Sequence, residues 1–223
     1  YKDLDPKFGA IAKMISDEGD IFIFQSNRVS RVLYRKNVLY NTDNTGNVAA
    51  SADVLGQEIP YAGEYGISSG PYSAVAWGSR IYFSDVKRNA VCRLSADGIT
   101  EVSDYGMKNW FRDNMRIGTS PIMSYDPFNG QVITSIYGSY SLSFNEQTNG
   151  WVSFLSYLPE LMVNLNNDFY SIRSGQLYIH NQYSVARNTF DGVQYNTEIN
   201  TVINDSPSEV KIFKTIEIQG VDG

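Results

Sequence analysis

An all-β fold, a propeller-like repeat of antiparallel sheets with short helical insertions, is what this sequence predicts, and three observations predict it. Three stretches use one device, an outward strand, a tight polar turn and a returning strand: Arg80-Ile81-Tyr82-Phe83-Ser84-Asp85 into Ala90-Val91-Cys92-Arg93-Leu94-Ser95, residues 131–137 into 140–144, and residues 168–172 into 176–180. Sheet units recur at roughly 30 to 45 residues, the spacing of propeller blades. Aromatic residues make up 13% of the chain, with 16 Tyr and 11 Phe, and flat or β-branched side chains fit a pleated, half-buried surface.

Residues 1–16 mix apolar Phe8, Ile11, Ala12, Met14 and Ile15 with Lys and Asp, a pattern open to a short helix or an entering strand. The run Ile21-Phe22-Ile23-Phe24-Gln25 has strand length and follows the turn Glu18-Gly19-Asp20. Residues 28–34 and 37–40 continue as strands around an Arg35-Lys36-Asn37 turn, and residues 41–70 read as a long loop with a short helix over 52–55. Strands resume at 73–77. The hairpin turning at Val86-Lys87-Arg88-Asn89 comes next, and Ala96-Asp97-Gly98 turns the chain into 99–102, because Asp-Gly supplies the positive φ of a tight turn. Asp104 is placed to cap a short helix over 106–111, with Met107, Trp110 and Phe111 on its core-facing side.

Asp126-Pro127-Phe128-Asn129-Gly130 and the stretch from Asn145 to Trp151 read as hairpin turns, Leu158-Pro159-Glu160 as a break, and Arg173-Ser174-Gly175 as a further turn. Alternation of Val210, Ile212, Lys214, Ile216 and Ile218 with Lys211, Phe213, Thr215 and Glu217 predicts an exit strand within 208–219. The expected division is a propeller-like domain over 1–206 and an exit strand over 207–223 leading to a further domain. The first residue is not Met, and the chain stops just after a strand-like run, so it reads as a piece of something longer.

The 223 residues, 42% of them hydrophobic, can bury a sizeable core. A net charge of −6 argues against a surface that grips nucleic acid, since such binding rests on Lys and Arg displacing counterions from phosphates. Cys92 is the single cysteine, so no intrachain disulfide forms, and its place in a strand-like run reads as a buried, inert thiol. No apolar run approaches the roughly 18 residues that span a bilayer.

Candidate chemistry is thin. His180 is the one histidine, so a His-rich zinc site is excluded, and a structural hydrogen bond is the expected role rather than catalysis. Asn41-Thr42-Asp43-Asn44-Thr45-Gly46 echoes a calcium loop, but Ala52 occupies the twelfth position, where a bidentate Glu is required, so a turn is expected. Asp85, Asp97, Asp104, Asp126, Glu146 and Glu160 could in principle pair for glycoside hydrolysis, yet nearly all lie in turn or cap contexts. Arg28, Arg31, Arg35 and Lys36 form one basic cluster and Lys87, Arg88 and Arg93 a second; both read as solvated rims, or as salt-sensitive contacts with acidic neighbours in an oligomer. No catalytic, cofactor or metal residue is assigned, and no cofactor is expected. The rival reading is a carbohydrate-binding or glycan-cleaving extracellular propeller, using Trp77, Trp110 and Trp151 as platforms with two converging turn carboxylates.

The sequence resembles the nozzle or muzzle type structural tail proteins, also called stabilisation proteins, of short-tailed, crAss-like bacteriophages. The residues that carry the resemblance are Phe24-Gln25-Ser26-Asn27-Arg28-Val29-Ser30-Arg31-Val32-Leu33-Tyr34, Leu55-Gly56-Gln57-Glu58-Ile59-Pro60-Tyr61 and the run from Ile81 to Val91, followed by Leu94-Ser95-Ala96-Asp97-Gly98-Ile99-Thr100, Tyr105-Gly106-Met107 and Trp110-Phe111-Arg112-Asp113. It implies a propeller-like module of a larger virion protein that assembles as a homo-oligomeric ring at the end of the tail, touches other tail proteins and lets genomic DNA pass without sequence-specific binding. It implies no enzyme and a place in the phage tail.

Overall fold

A computed structural model describes residues 3–17, 19–40, 46–68, 70–200, 208–212 and 215. The chain runs through successive antiparallel meanders in which strand order in space follows strand order in sequence. The first sheet holds β1 (Ile11–Asp17), β2 (Asp20–Gln25), β3 (Val29–Tyr40) and β4 (Gly46–Pro60), and the second β5 (Ala74–Trp77), β6 (Arg80–Asp85), β7 (Ala90–Ser95) and β8 (Gly98–Glu101). Helix α1 (Lys108–Asn114) precedes the third, made of β9 (Pro121–Asp126), β10 (Gln131–Ile136), β11 (Tyr140–Asn145) and β12 (Gly150–Leu155). The fourth has three strands, β13 (Leu161–Leu165), β14 (Asp168–Arg173) and β15 (Gln176–Ile179), and a short pair follows, β16 (Thr189–Phe190) and β17 (Val193–Gln194). Four-stranded meanders in series are the building unit of propellers, and the predicted all-β, propeller-like repeat with short helical insertions is the observed one.

One turn chemistry is used three times. A strand-ending acceptor bonds the backbone N–H two residues on, and the fifth residue takes positive φ: Asp85 Oδ1 with Lys87 N at 3.0 Å and Asn89 at φ 56°, Asp126 Oδ1 with Phe128 N at 3.0 Å and Gly130 at φ 64°, Asn145 Oδ1 with Gln147 N at 2.8 Å and Asn149 at φ 48°. Asp and Asn supply that local acceptor, and Asn or Gly tolerates the left-handed backbone.

The sheets stack face to face. Alternation in β6 and β7 sends Ile81, Phe83, Cys92 and Leu94 toward Phe24 and Val29 of the first sheet, and Tyr82 and Val91 toward Met123, Val132 and Phe144 of the third. Covered on both faces, β6 reads as the continuous buried run Ile81–Asp85. The opposite face of the third sheet turns Ile122 and Ile133 onto Tyr157, Met162 and Phe169. Phe111 and Met115, both fully buried, anchor the α1 region to the core between the second and third sheets, with Met107 and Trp110 beside them as predicted.

Four expectations need correction or completion. The loop and short helix expected over 41–70 are replaced over Gly46–Pro60 by β4, the described residues beyond it being loop as expected, and the Arg35-Lys36-Asn37 turn is instead the interior of β3. The pair forms a ribbon continuing past the sheet, with registers Tyr34↔Leu55, Lys36↔Ala50 and Leu39↔Asn47 and bulges around Tyr34, where Arg35 sits at φ 53°. Asp104 does not cap α1: the helix begins at Lys108, its N-cap Met107 offers no side-chain acceptor, and Asp104 instead ion-pairs with Lys108 Nζ at 3.0 Å. The entering segment resolves into a short 3-10 turn, Pro6–Phe8, and then β1. The calcium-like residues 41–45, the domain boundary at 206 and 207 and most of the exit strand lie outside the described residues.

Candidate functional site

The leading strands β1, β5, β9 and β13 bring Lys13, Ala74, Met123, Ser124 and Met162 to a cavity of about 300 Å³ on one side of the stack. Lys13 Nζ donates to the Ala74 carbonyl at 2.7 Å, joining the first two sheets there, and burial lowers its pKa.

A second cavity, about 570 Å³, lies at the far end, with Phe128, His180, Tyr183 and Phe190 on its walls. The His180 ring is held 4.8 Å from Tyr157 and 4.7 Å from Phe169, centroid to centroid, and its Nε2 lies 2.7 Å from Ser171 Oγ. Desolvation lowers its pKa against the opposing influence of Asp191 and Asp126. Ser171 Oγ also donates to Asp191 Oδ1 at 3.4 Å. The hydroxyl therefore sits between imidazole and carboxylate, whereas an activated nucleophile needs the imidazole in the middle. Ser171 is fully buried besides, and Asp191 is tied to Arg173 at 3.2 Å. The geometry is that of the structural hydrogen bond predicted for His180.

The candidate carboxylates are each engaged, and Asp97 and Glu146 share a partner, Arg93, at 3.9 and 3.0 Å. Asp85 accepts from Gly66 N, Lys87 N and Arg88; Asp97 from Ser95; Asp126 from Phe128 N, Asn129 and Asn181; Glu160 from Ser174 N. Glu146, in the β11–β12 turn, accepts from Tyr82 Oη at 2.6 Å and pairs with Arg80 at 2.9 Å and Arg93 at 3.0 Å, bridging the third sheet to the second. The three tryptophans are half-buried rather than open platforms. Trp77 stacks on Tyr125 at 4.2 Å, Trp110 meets Phe111, Tyr140 and Phe154 edge-on, and Trp151 packs on Phe111 and Phe144 while its indole N–H donates to the Val102 carbonyl.

Both basic clusters are largely bound within the chain. Arg28 lies over the Phe8 ring and donates to the Tyr61 carbonyl, Arg31 pairs with Asp20 at 3.7 Å, Lys87 donates to Asn27, Arg88 pairs with Asp85 and Glu64, and Arg93 with Glu146. Arg35 lies over the Tyr34 ring, 5.6 Å from its centroid, and with Lys36 stands exposed on the ribbon. Cys92 is fully buried, and desolvation pushes its thiol pKa well up, which suits an inert thiol. Among the described residues no three His, Cys, Asp or Glu side chains are grouped to hold a metal, and no helix is long and apolar enough to cross a membrane.

The feature missed from sequence is the β3–β4 ribbon. Tyr34, Leu39, Val48 and Val54 are all exposed on it, at 43 to 64%. Apolar side chains exposed on a two-stranded ribbon mark a surface for contact, since such a ribbon is marginal alone.

A stack of sheets whose candidate carboxylates are engaged in turns and sheet junctions, with a projecting ribbon that exposes apolar side chains, has the character of a structural module. Residues 1–175 match the Crassvirus muzzle protein family, and residues 185–223 match the Crassvirus muzzle protein C-terminal domain. The chain belongs to the Crassvirus muzzle protein family. A muzzle protein of Bacteroides phage crAss001 is 24% identical over 233 aligned positions, which cover 97% of this chain; the chain spans 16% of that relative's length. Among solved structures, a catalytically inactive virginiamycin B lyase from Staphylococcus aureus with quinupristin superposes with a TM-score of 0.43 at 12% identity, covering 82% of this chain and 59% of the lyase. The selenomethionine-substituted form of that lyase gives 0.42 at 15% identity, covering 81% and 58%. The class predicted from sequence, a structural protein of a crAss-like phage placed in the virion tail, is that of its family.

Proposed function

We propose that this chain is a non-enzymatic module of a homo-oligomeric ring at the end of the phage tail, supporting the channel through which the genome leaves. The observation that carries this reading is the β3–β4 ribbon. It extends beyond its own sheet, exposes Tyr34, Leu39, Val48 and Val54, and carries the exposed cations Arg35 and Lys36. In this reading the ribbon reaches a neighbouring subunit or another tail protein. The charge of −6, with Arg31, Arg88 and Arg93 already paired to acids, suits a conduit, because a basic lumen would hold passing DNA by its phosphates. Residues 207–223 lead, in the same reading, to a further domain of the tail protein.

Cryo-electron microscopy of the particle tests the proposal. Density for this module in a closed ring around an axial channel is expected, with the ribbon at the subunit boundary. A module hanging singly from the particle surface, with its ribbon in solvent, would overturn it. Shortening the ribbon to a tight turn after Leu33 should abolish ring formation and leave the second and third sheets folded.

A further inference from the structure

The second and third sheets are each covered on both faces; the fourth is covered on one. Met162, Phe169 and fully buried Ser171 of the fourth sheet turn inward, the first two onto Ile122 and Ile133 of the third. Strand alternation places Leu161, Val163, Tyr170, Ile172, Leu177 and Ile179 on the other face. The registers Leu161↔Ile172↔Leu177 and Val163↔Tyr170↔Ile179 align them as two apolar rows across all three strands. Val163 is 44%, Leu177 64% and Ile179 43% exposed.

We propose that this face seats a further antiparallel sheet of the same array, contributed by the same polypeptide. The inference rests on the propeller-like reading of the fold and continues an interface the molecule builds three times, sheet face on sheet face, with the same kinds of side chain. A sheet in that position would lie about 10 Å away and close over both rows. A second copy stacked head to tail is a poorer occupant. It would have to present the outer face of its first sheet, whose central residues Ile23, Ser30 and Val32 are already buried. Polypeptides of this family have the length to supply another sheet, since the chain spans 16% of its crAss001 relative.

The test uses the protein as its phage gene encodes it, carrying Leu177→Lys or Ile179→Lys, with Leu177→Met as an apolar control. Either lysine should lower the thermal midpoint and raise amide hydrogen exchange over 161–179 at least tenfold, independently of protein concentration, while Leu177→Met leaves both unchanged. Unchanged exchange in the lysine variants would mean an open face and overturn the proposal. An effect that grows on dilution would assign the face to a second copy and overturn it equally. Ring formation is scored separately on the parent protein, so a ring with an open face defeats this inference alone, and a covered face without a ring defeats only the tail-ring reading.

Discussion

His180 shows what a single titratable ring does inside an aromatic box. Enclosed by Tyr157, Phe169 and Phe190 and bonded to Ser171, it is harder to protonate in the fold than in the open chain. Well above pH 6.5 the ring is neutral folded or unfolded, and its titration adds nothing to the pH dependence of stability. Below that value the unfolded chain takes up a proton that the fold resists, so stability falls until the pH passes the lowered folded pKa. The urea midpoint should therefore drop between pH 7.5 and 5.5, and His180→Gln, which can still bond Ser171, should flatten that segment of the curve. An unchanged slope in the variant would show that the imidazole is not the responsible group. Sequence singled out the residue and its expected hydrogen bond; its enclosure arises from long-range packing, which no local pattern records.

At the scale of elements, the connection from the first sheet to the second runs through a close passage. Gly66 N donates to buried Asp85 Oδ2 at 2.9 Å, and Ile67 N donates to the Gln25 carbonyl at 2.9 Å. A Cβ at position 66 would stand 2.4 Å from Gln25 O and 2.7 Å from Asn27 N, backbone atoms that cannot turn aside. Gly66→Ala should cost about 3 kcal/mol in denaturant unfolding; a neutral result would mean the connector can lift away freely. The hairpins were legible because their turn chemistry is local: Asp85, Asp126 and Asn145 announce their turns within five residues. The ribbon was not. Asn47, Ala49, Ala50, Ser51, Ala52 and Asp53 lack the branched and aromatic side chains of a half-buried strand, and outside the sheet the described ribbon residues pack on no core of their own chain, so no alternation of period two marks it. Arg35 and Lys36 looked like a turn for the same reason, since a strand exposed on both faces tolerates a polar pair.

Across the whole molecule the sheets are joined by apolar faces and by a few charged clasps. Glu146 is the principal clasp between the second and third sheets, holding Arg80, Arg93 and the Tyr82 hydroxyl, with Arg93 only 13% exposed. Glu146→Ala should destabilise by about 2 kcal/mol, because it leaves partly buried donors unmatched. A double-mutant cycle with Arg93→Ala should show coupling, and additive losses would remove Glu146 as a clasp. Sequence placed Glu146 in a turn without naming its partners, 53 to 66 positions away, since nothing local marks which neighbouring sheet a turn will lean on.

The face-to-face order of the sheets also bears on how the chain leaves the ribosome. Phe22, Phe24 and Val29 belong to the sheet that precedes the ribbon's end, but their main covering, Ile81, Phe83 and Leu94, is made only after the whole ribbon and connector have followed. Until then a nascent chain displays a wet apolar sheet beside an unsupported hairpin, the state in which edge pairing between neighbouring nascent chains is easiest. Production of this module should therefore be most vulnerable in that interval of translation, when the sheet bearing the ribbon is out and the sheet that covers it is still being built.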